Sequence, residues 1–273
     1  MSYATLMVYV EVDGHPKNRV TLATEVSDKF KSTLIGLSAL AIRPLFLDET
    51  FNSDKVSGAD IEQMKLKLAR KGDWFQRLAR TEHGKVAWRP LLEFPIDVIS
   101  REARCADLIV LGRTKTAGDE YSSLDPGAAL LRIGRPTLIV PDAVSSLRAD
   151  HVMIAWKDTR EARRAVSDAL PFLHSARHVT VVGICETEDG DSVSKQLDDV
   201  ADYLGRHGIS GDPRVIADRG ASAAEQLTKL AHKEGADLLV AGAYGHSRLG
   251  EWFFGGVTRD LLAGSPICCL MSH

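Results

Sequence analysis

Two periods of apolar residues take turns along this chain. Short unbroken apolar runs, the mark of buried strands, alternate with stretches in which apolar residues return every three or four positions, the spacing of a helix with one buried face. In the C-terminal half, His151–Trp156, Val179–Cys185, Pro213–Ala217, Leu238–Ala241 and Ile267–Leu270 predict strands. Helices are predicted over Thr159–Leu173, Ser192–His207 with Gly208 as its stop, Ala223–Lys233 and Val257–Ala263. Ser222 with Glu225 three residues on makes a capping box, and Asp158 with Glu161 resembles one. The N-terminal half reads similarly: Thr5–Val12, Arg19–Ala41, Arg43–Leu47, a long helical stretch near Val56–His83, Lys85–Arg89, Leu91–Arg104, Leu108–Leu111 and Thr137–Val140. Ile61, Met64, Leu68, Phe75 and Leu78 stripe the long helix, as core packing does. Alternating strands and helices imply parallel sheets covered on both faces.

The pattern is also duplicated. Ala106–Gly112 matches Ala236–Gly242, and the stretch from Gly134 matches that from Gly264, both pairs 130 residues apart. Two landmarks at one offset argue for two copies of one unit. The polar stretch Asp142–Asp150 is the expected boundary, giving units of 1–146 and 147–273. Thr137–Val140 and Ile267–Leu270 are apolar last strands that need cover, so they are expected to pair the units about an internal twofold.

Composition narrows the class without naming a chemistry. The 273 residues are 44% hydrophobic and 26% charged with a net charge of −3, which argues against a nucleic-acid or acidic-membrane partner. No run approaches a membrane span, and the N-terminus reads as a first strand, so a cytoplasmic location is expected. The four cysteines, Cys105, Cys185, Cys268 and Cys269, form no metal-type spacing and read as reduced thiols. Walker A, nucleophile-elbow, zinc-helix and dinucleotide-fingerprint motifs are all missing.

The chemistry gathers after Leu238–Ala241. Gly242 and Gly245 follow the strand, and Gly255 and Gly256 precede the helix from Val257. Glycines at a strand end let backbone approach a ligand, and a helix start offers free N–H groups to phosphate. This reads as a phosphate cradle, with His246, Ser247 and the Thr258 hydroxyl as candidate polar contacts. Shifted back by 130, the motif meets Gly112 but then Lys115, Asp125 and Pro126, so the first half should be a degenerate partner.

The spacing of Gly242, Gly245 and Gly255 resembles the ATP-binding signature of the universal stress protein family, in which Ser or Thr stands where this chain has Gly256. The resemblance covers essentially the whole chain as two copies. It implies an α/β fold of two tandem open parallel-sheet domains (Rossmann-like, of the HUP/adenine nucleotide alpha hydrolase-like type) packed about a pseudo-twofold. It also implies an ATP-binding stress-response module, with or without magnesium, that lacks efficient catalysis and acts through some protein partner. A further homodimer is allowed. The nucleotide site would comprise Ala155, Lys157, Asp158, Ile184, Gly242, Ala243, Gly245, His246, Gly255, Gly256, Val257 and Thr258. The family's acid at the first strand end has Asp13-Gly14 as its first-half counterpart. In the second half either Lys157 replaces it with a cation or Asp158 takes the role after a slip of one residue. Ile184 and Cys185 are positioned as walls for an adenine ring. A nucleotide-free scaffold and a slow ATP hydrolase remain open alternatives.

Overall fold

The computed structural model describes residues 2–14, 16–43, 58–113, 119–185, 190–218, 220–245 and 256–273. The first half runs β1 (Thr5–Tyr9), α1 (Lys17–Phe30), β2 (Thr33–Ala39), α2 (Gly58–Leu78), β3 (Val86–Leu91), α3 (Pro95–Glu102), β4 (Leu108–Gly112), α4 (Pro126–Ile133) and β5 (Thr137–Val140). The second half runs β6 (His151–Trp156), α5 (Arg160–Ser175), β7 (His178–Cys185), α6 (Gly190–Arg206), β8 (Gly211–Ala217), α7 (Ala223–Glu234), β9 (Leu238–Gly242), α8 (Gly256–Gly264) and β10 (Cys268–Ser272).

Each half is an open parallel sheet, and the two join edge to edge in the order β3-β2-β1-β4-β5-β10-β9-β6-β7-β8. Every described pairing is parallel except the seam, where β10 runs antiparallel to β5 with Cys269 opposite Ile139, Leu270 opposite Leu138 and Met271 opposite Thr137. The strand order reads the same outward from that seam, which is the twofold the last-strand pattern predicts. The strands inside the two edge strands are buried on both faces, so their side chains feed two cores. One holds Leu6, Val8, Phe75, Phe172 and Leu270, the other Met7, Tyr9, Ile99, Leu239 and Met271, and both cores cross the seam. The outer strands β3 and β8 carry Pro90 and Pro213, which cannot extend a ladder by N–H donation and so discourage further strand addition.

Three readings of the first half change. Arg19–Ala41 is α1 and β2, not one element. Lys31 turns left-handed (φ 56°), its N–H donating to the Asp28 carbonyl at 3.1 Å and the next N–H, of Ser32, to the Ser27 carbonyl at 2.8 Å, and the chain then enters the buried run of β2. Leu91–Arg104 is helical only from Pro95, whose fixed φ opens α3. Pro126–Ile133 forms a helix that the pattern did not reveal, because Pro126-Gly127 reads as a turn. Of Arg43–Leu47, Arg43 is irregular and residues 44–47 lie outside the described residues. In the second half, α5 is capped by Thr159, whose hydroxyl accepts the Ala162 N–H at 3.2 Å, not by Asp158, which pairs with Arg163 at 2.6 Å.

All four cysteines are free thiols. Burial raises the Cys268 thiol and pushes Cys269 up to about 11, whereas Cys105 is only half-buried. Thiol labelling of the native chain near pH 8 is therefore expected to modify Cys105 and leave Cys268 and Cys269 unmodified until unfolding; peptide mapping by mass spectrometry checks this.

Candidate functional site

Second-half strand ends converge where the chain reverses its order across the sheet: from β6 it proceeds outward to β7 and β8, then returns to β9 on β6's other side. Loops leaving strands that diverge in this way leave a crevice at the carboxyl ends. A cavity of about 580 Å³ lies there. Nine of the twelve nominated residues line it: Ala155, Lys157, Asp158, Ile184, Gly242, Gly245, Gly256, Val257 and Thr258. Ala243 lies under it, fully buried, with its N–H donated to the Ser272 carbonyl at 2.8 Å. His246 and Gly255 lie outside the described residues, as do Ser247 and Lys115. Cys185 is buried and is not part of the lining; alternation along β7 gives the cavity Val182 and Ile184 instead.

The glycines do different jobs. A Cβ on Gly242 would stand 2.6 Å from the Ala162 N and 2.8 Å from the Glu161 carbonyl carbon, so this glycine lets β9 end against the first turn of α5. One on Gly245 would stand 3.0 Å from the Thr159 hydroxyl and 3.1 Å from a Glu161 carboxylate oxygen. One on Gly256 meets nothing within 4 Å. Gly256 therefore opens α8 with bare backbone facing open space. Thr258, buried, accepts the Tyr244 N–H at 3.1 Å, which ties the glycine loop to the first turn of α8 while leaving the hydroxyl proton available to donate.

The electrostatics suit an anion on the glycine side. Lys157 is exposed at the rim and makes no ion pair among the described residues. Asp158 is matched by Arg163. Burial would raise the Glu161 carboxyl, but hydrogen bonding from Arg160 and Thr159 holds it below the ordinary value, ionised and paired with Arg160. The lining residues that sequence reasoning missed include Trp156, Val193 and Gln196, Asp218 at the end of β8, and Ala223 and Leu227. Among the described residues no group of three or more His, Cys, Asp or Glu side chains is gathered as a metal site, and no helix is long and apolar enough to cross a membrane.

The first half closes the equivalent features with its own side chains. Leu6 pairs with Leu108 as Val152 pairs with Leu238, which puts Tyr9 at the place of Ala155 and Glu11, not Asp13, at the place of Lys157. Glu11 receives both terminal nitrogens of Arg19, at 2.9 and 2.8 Å, and Arg19 also donates to the Tyr9 carbonyl at 3.0 Å. That guanidinium covers Gly112, where a Cβ would stand 2.6 Å from its carbon. At the start of α4, Pro126 has no N–H, and the Asp125 carboxylate accepts from Gly127 and Ala128 at 3.2 and 3.1 Å. The helix terminus that faces an open cavity in the second half thus holds the chain's own anion in the first. A smaller crevice of about 410 Å³ remains there, lined by Glu11, Lys17, Arg19, Arg113 and Asp142 among others.

Fold and crevice together define a tandem parallel-sheet protein with a ligand-sized cavity at the strand ends of its second half. Residues 148–273 match the sequence profile of the universal stress protein family. The second half thus carries the profile of that family, and the two sheets stand in tandem, edge to edge. A universal stress protein from Archaeoglobus fulgidus DSM 4304 superposes with a TM-score of 0.68, at 14% identity, over 98% of both chains. A functionally unknown protein from Pseudomonas aeruginosa PAO1 superposes with a TM-score of 0.58, at 12% identity, over 99% of this chain and 92% of its own. At these identities the likeness is one of fold. A universal stress protein solved in complex with cAMP matches 52% of this chain and 100% of its own, at 18% identity and a TM-score of 0.36. No curated protein matches the chain.

Proposed function

We propose that the second half binds an adenine nucleotide, ATP in the first instance, in the cavity at the ends of β6 and β9, and that the chain is a nucleotide-responsive stress module without efficient turnover. In this reading 147–273 is the binding unit, and 1–146 is a scaffold unit whose site has lapsed. The observation that carries it is that nine residues nominated by spacing and family likeness alone line one cavity, at the strand-order reversal and against the first turn of α8. Lys157 and the backbone at Gly245 and Gly256 would hold phosphate, with magnesium arriving on the nucleotide if it is needed. Val182, Ile184 and Leu227 would flank the base. A second reading, a scaffold with no ligand, draws on Gly242, whose missing side chain is already required by α5.

Gly256→Asp separates the two. It adds a carboxylate in open space at a helix start, where an acidic residue costs no stability, and places it where phosphate would sit. ATP with magnesium at about 100 times its dissociation constant is expected to raise the melting temperature of the native chain by about 5 °C or more. The variant should melt within a degree or so of the wild type without ligand and show no rise with it. A wild type unmoved by millimolar ATP supports the scaffold.

A further inference from the structure

The first-half crevice is built differently from the second-half cavity. It lies at the ends of β1, β4 and β5, through Glu11, Arg113 and Val140, and no residue of β2 or α4 lines it. What faces it instead is the start of α1, from Pro16 to Arg19. That start is open. Pro16 holds the cap position, no side chain caps it, and the first turn carries no acidic residue. The Lys17, Asn18 and Arg19 amides have no acceptor among the described residues. A 14-residue helix concentrates partial positive charge at these groups.

A buried arginine stands beside them. Arg19 is 9% exposed and lines the crevice. Its Nη1 donates to the Tyr9 carbonyl and to Glu11 Oε1, and its Nη2 to Glu11 Oε2. This leaves the Nε–H and the second Nη2–H, which share the other edge of the guanidinium. The Nε is shut from water and has no acceptor. Arg113 lines the same crevice; its Nη1 donates to the Ala263 carbonyl at 3.3 Å, and its Nε too is buried without an acceptor. A donor closed off from water with no acceptor is destabilising, so two of them in one wall point to an acceptor that the crevice receives. A free guanidinium edge matches two oxygens of one phosphate.

We propose that this crevice binds a compact phosphate-type oxyanion, held by the first turn of α1, the free edge of Arg19, Arg113 and Lys17. Lys17 is exposed and makes no ion pair among the described residues. Two carboxylates also line the crevice. Glu11 is neutralised by Arg19. Asp142 is exposed; its carbonyl accepts the Asn18 side-chain amide at 2.7 Å, and its carboxylate is screened by water as the buried guanidinium is not. The occupant is small because Tyr9, fully buried, and the Glu11–Arg19 pair stand where the second half has Ala155 and Lys157. The site is independent of the second-half cavity and of what that cavity holds.

Titration calorimetry on the full chain, at constant ionic strength set with chloride, tests this with inorganic phosphate and glycerol 3-phosphate as probes. It is run in the Gly256→Asp background, whose carboxylate keeps phosphate from the start of α8. Phosphate is expected to bind saturably, with a dissociation constant of about 1 mM or below. Arg113→Gln and Lys17→Gln are each expected to weaken it about tenfold, the worth of one hydrogen bond to a charged group. Lys17, exposed and unpaired, keeps the test valid should Arg113→Gln disturb the fold. Tighter binding of glycerol 3-phosphate would identify the occupant as a small phosphomonoester, and equal or weaker binding as phosphate itself. No saturable binding of either probe, or binding that neither variant weakens, would overturn the site. The response of the wild type to ATP bears on the second-half reading alone.

Discussion

Alanine at Gly242 is expected to destabilise the chain by about 3 kcal/mol, the upper range for an overpacked core. The added methyl would stand 2.6 Å from the Ala162 N, 2.8 Å from the Glu161 carbonyl carbon and 3.0 Å from the Ala162 Cα. All three are backbone atoms in the first turn of α5, so no side-chain rotation can make room. The strand cannot retreat either, since β9 is paired on both sides, to β6 and to β10. Either α5 lifts from the sheet, or the strand end shifts and takes the glycine loop with it. Urea unfolding should show a lower midpoint at unchanged slope. Two controls fix the cause. Gly256→Ala meets nothing and should be neutral or slightly stabilising, because it replaces glycine within a helix. Gly112→Ala meets the movable Arg19 guanidinium and should cost about 1 kcal/mol, as a disturbed ion pair does. A loss under about 0.5 kcal/mol at Gly242, the ordinary surface value, would show that the contact relaxes freely.

That result bears on how far the sequence could be read. The spacing assigns Gly242 to a ligand, yet α5 is what the missing side chain accommodates. A glycine motif records that backbone comes close to something at that position, and the sequence does not say what. The second half was legible because its strands are unbroken apolar runs and its helices carry local stops and caps, Gly208 and Ser222 among them. In the first half, α1 and β2 are both apolar and are separated by Lys31 and Ser32, neither of them a usual breaker, so two elements read as one. The edge-to-edge seam was legible because a short apolar last strand must be covered. Strand register was not: which residue stands opposite Lys157 depends on long-range pairing, and Glu11 replaces Asp13 only once Leu6 is seen beside Leu108. The site shows the same division. Strand ends follow from the rule for open sheets, but an amphipathic helix shows only that it has a buried face. That Val193 and Gln196 of α6 turn toward the crevice, and that Asp218 closes it, are facts of packing.

The seam carries the second large effect. Phe172→Ala is expected to cost about 4 kcal/mol, within the range for deleting a buried aromatic ring. Phe172 of α5 is fully buried and belongs to the second half, while its ring neighbours belong to the first: Phe30 at 5.1 Å and Tyr3 at 5.6 Å between centroids, themselves 5.1 Å apart and edge-on. The Tyr3 hydroxyl donates to the Asp168 carbonyl at 2.6 Å, and Asp168 in turn accepts from Ser272 on β10. This cluster covers one face of a seam that is only three described residue pairs long. A ladder that short leaves the coupling of the two sheets largely to the side-chain packing that crosses it, and the aromatic cluster is a large part of that packing. Phe75→Ala makes the comparison: an equally buried ring, packed on Trp88 within the first half at 5.3 Å, whose loss should be of similar size. The two variants should differ in cooperativity. Wild type and Phe75→Ala are expected to unfold in one calorimetric transition, whereas Phe172→Ala should split into two, because it removes a large part of the packing between the halves and Phe75→Ala removes none of it. A single sharp transition for Phe172→Ala, with a loss under about 1.5 kcal/mol, would place the coupling in the ladder and the rest of the two cores that cross the seam, and not in the aromatic cluster.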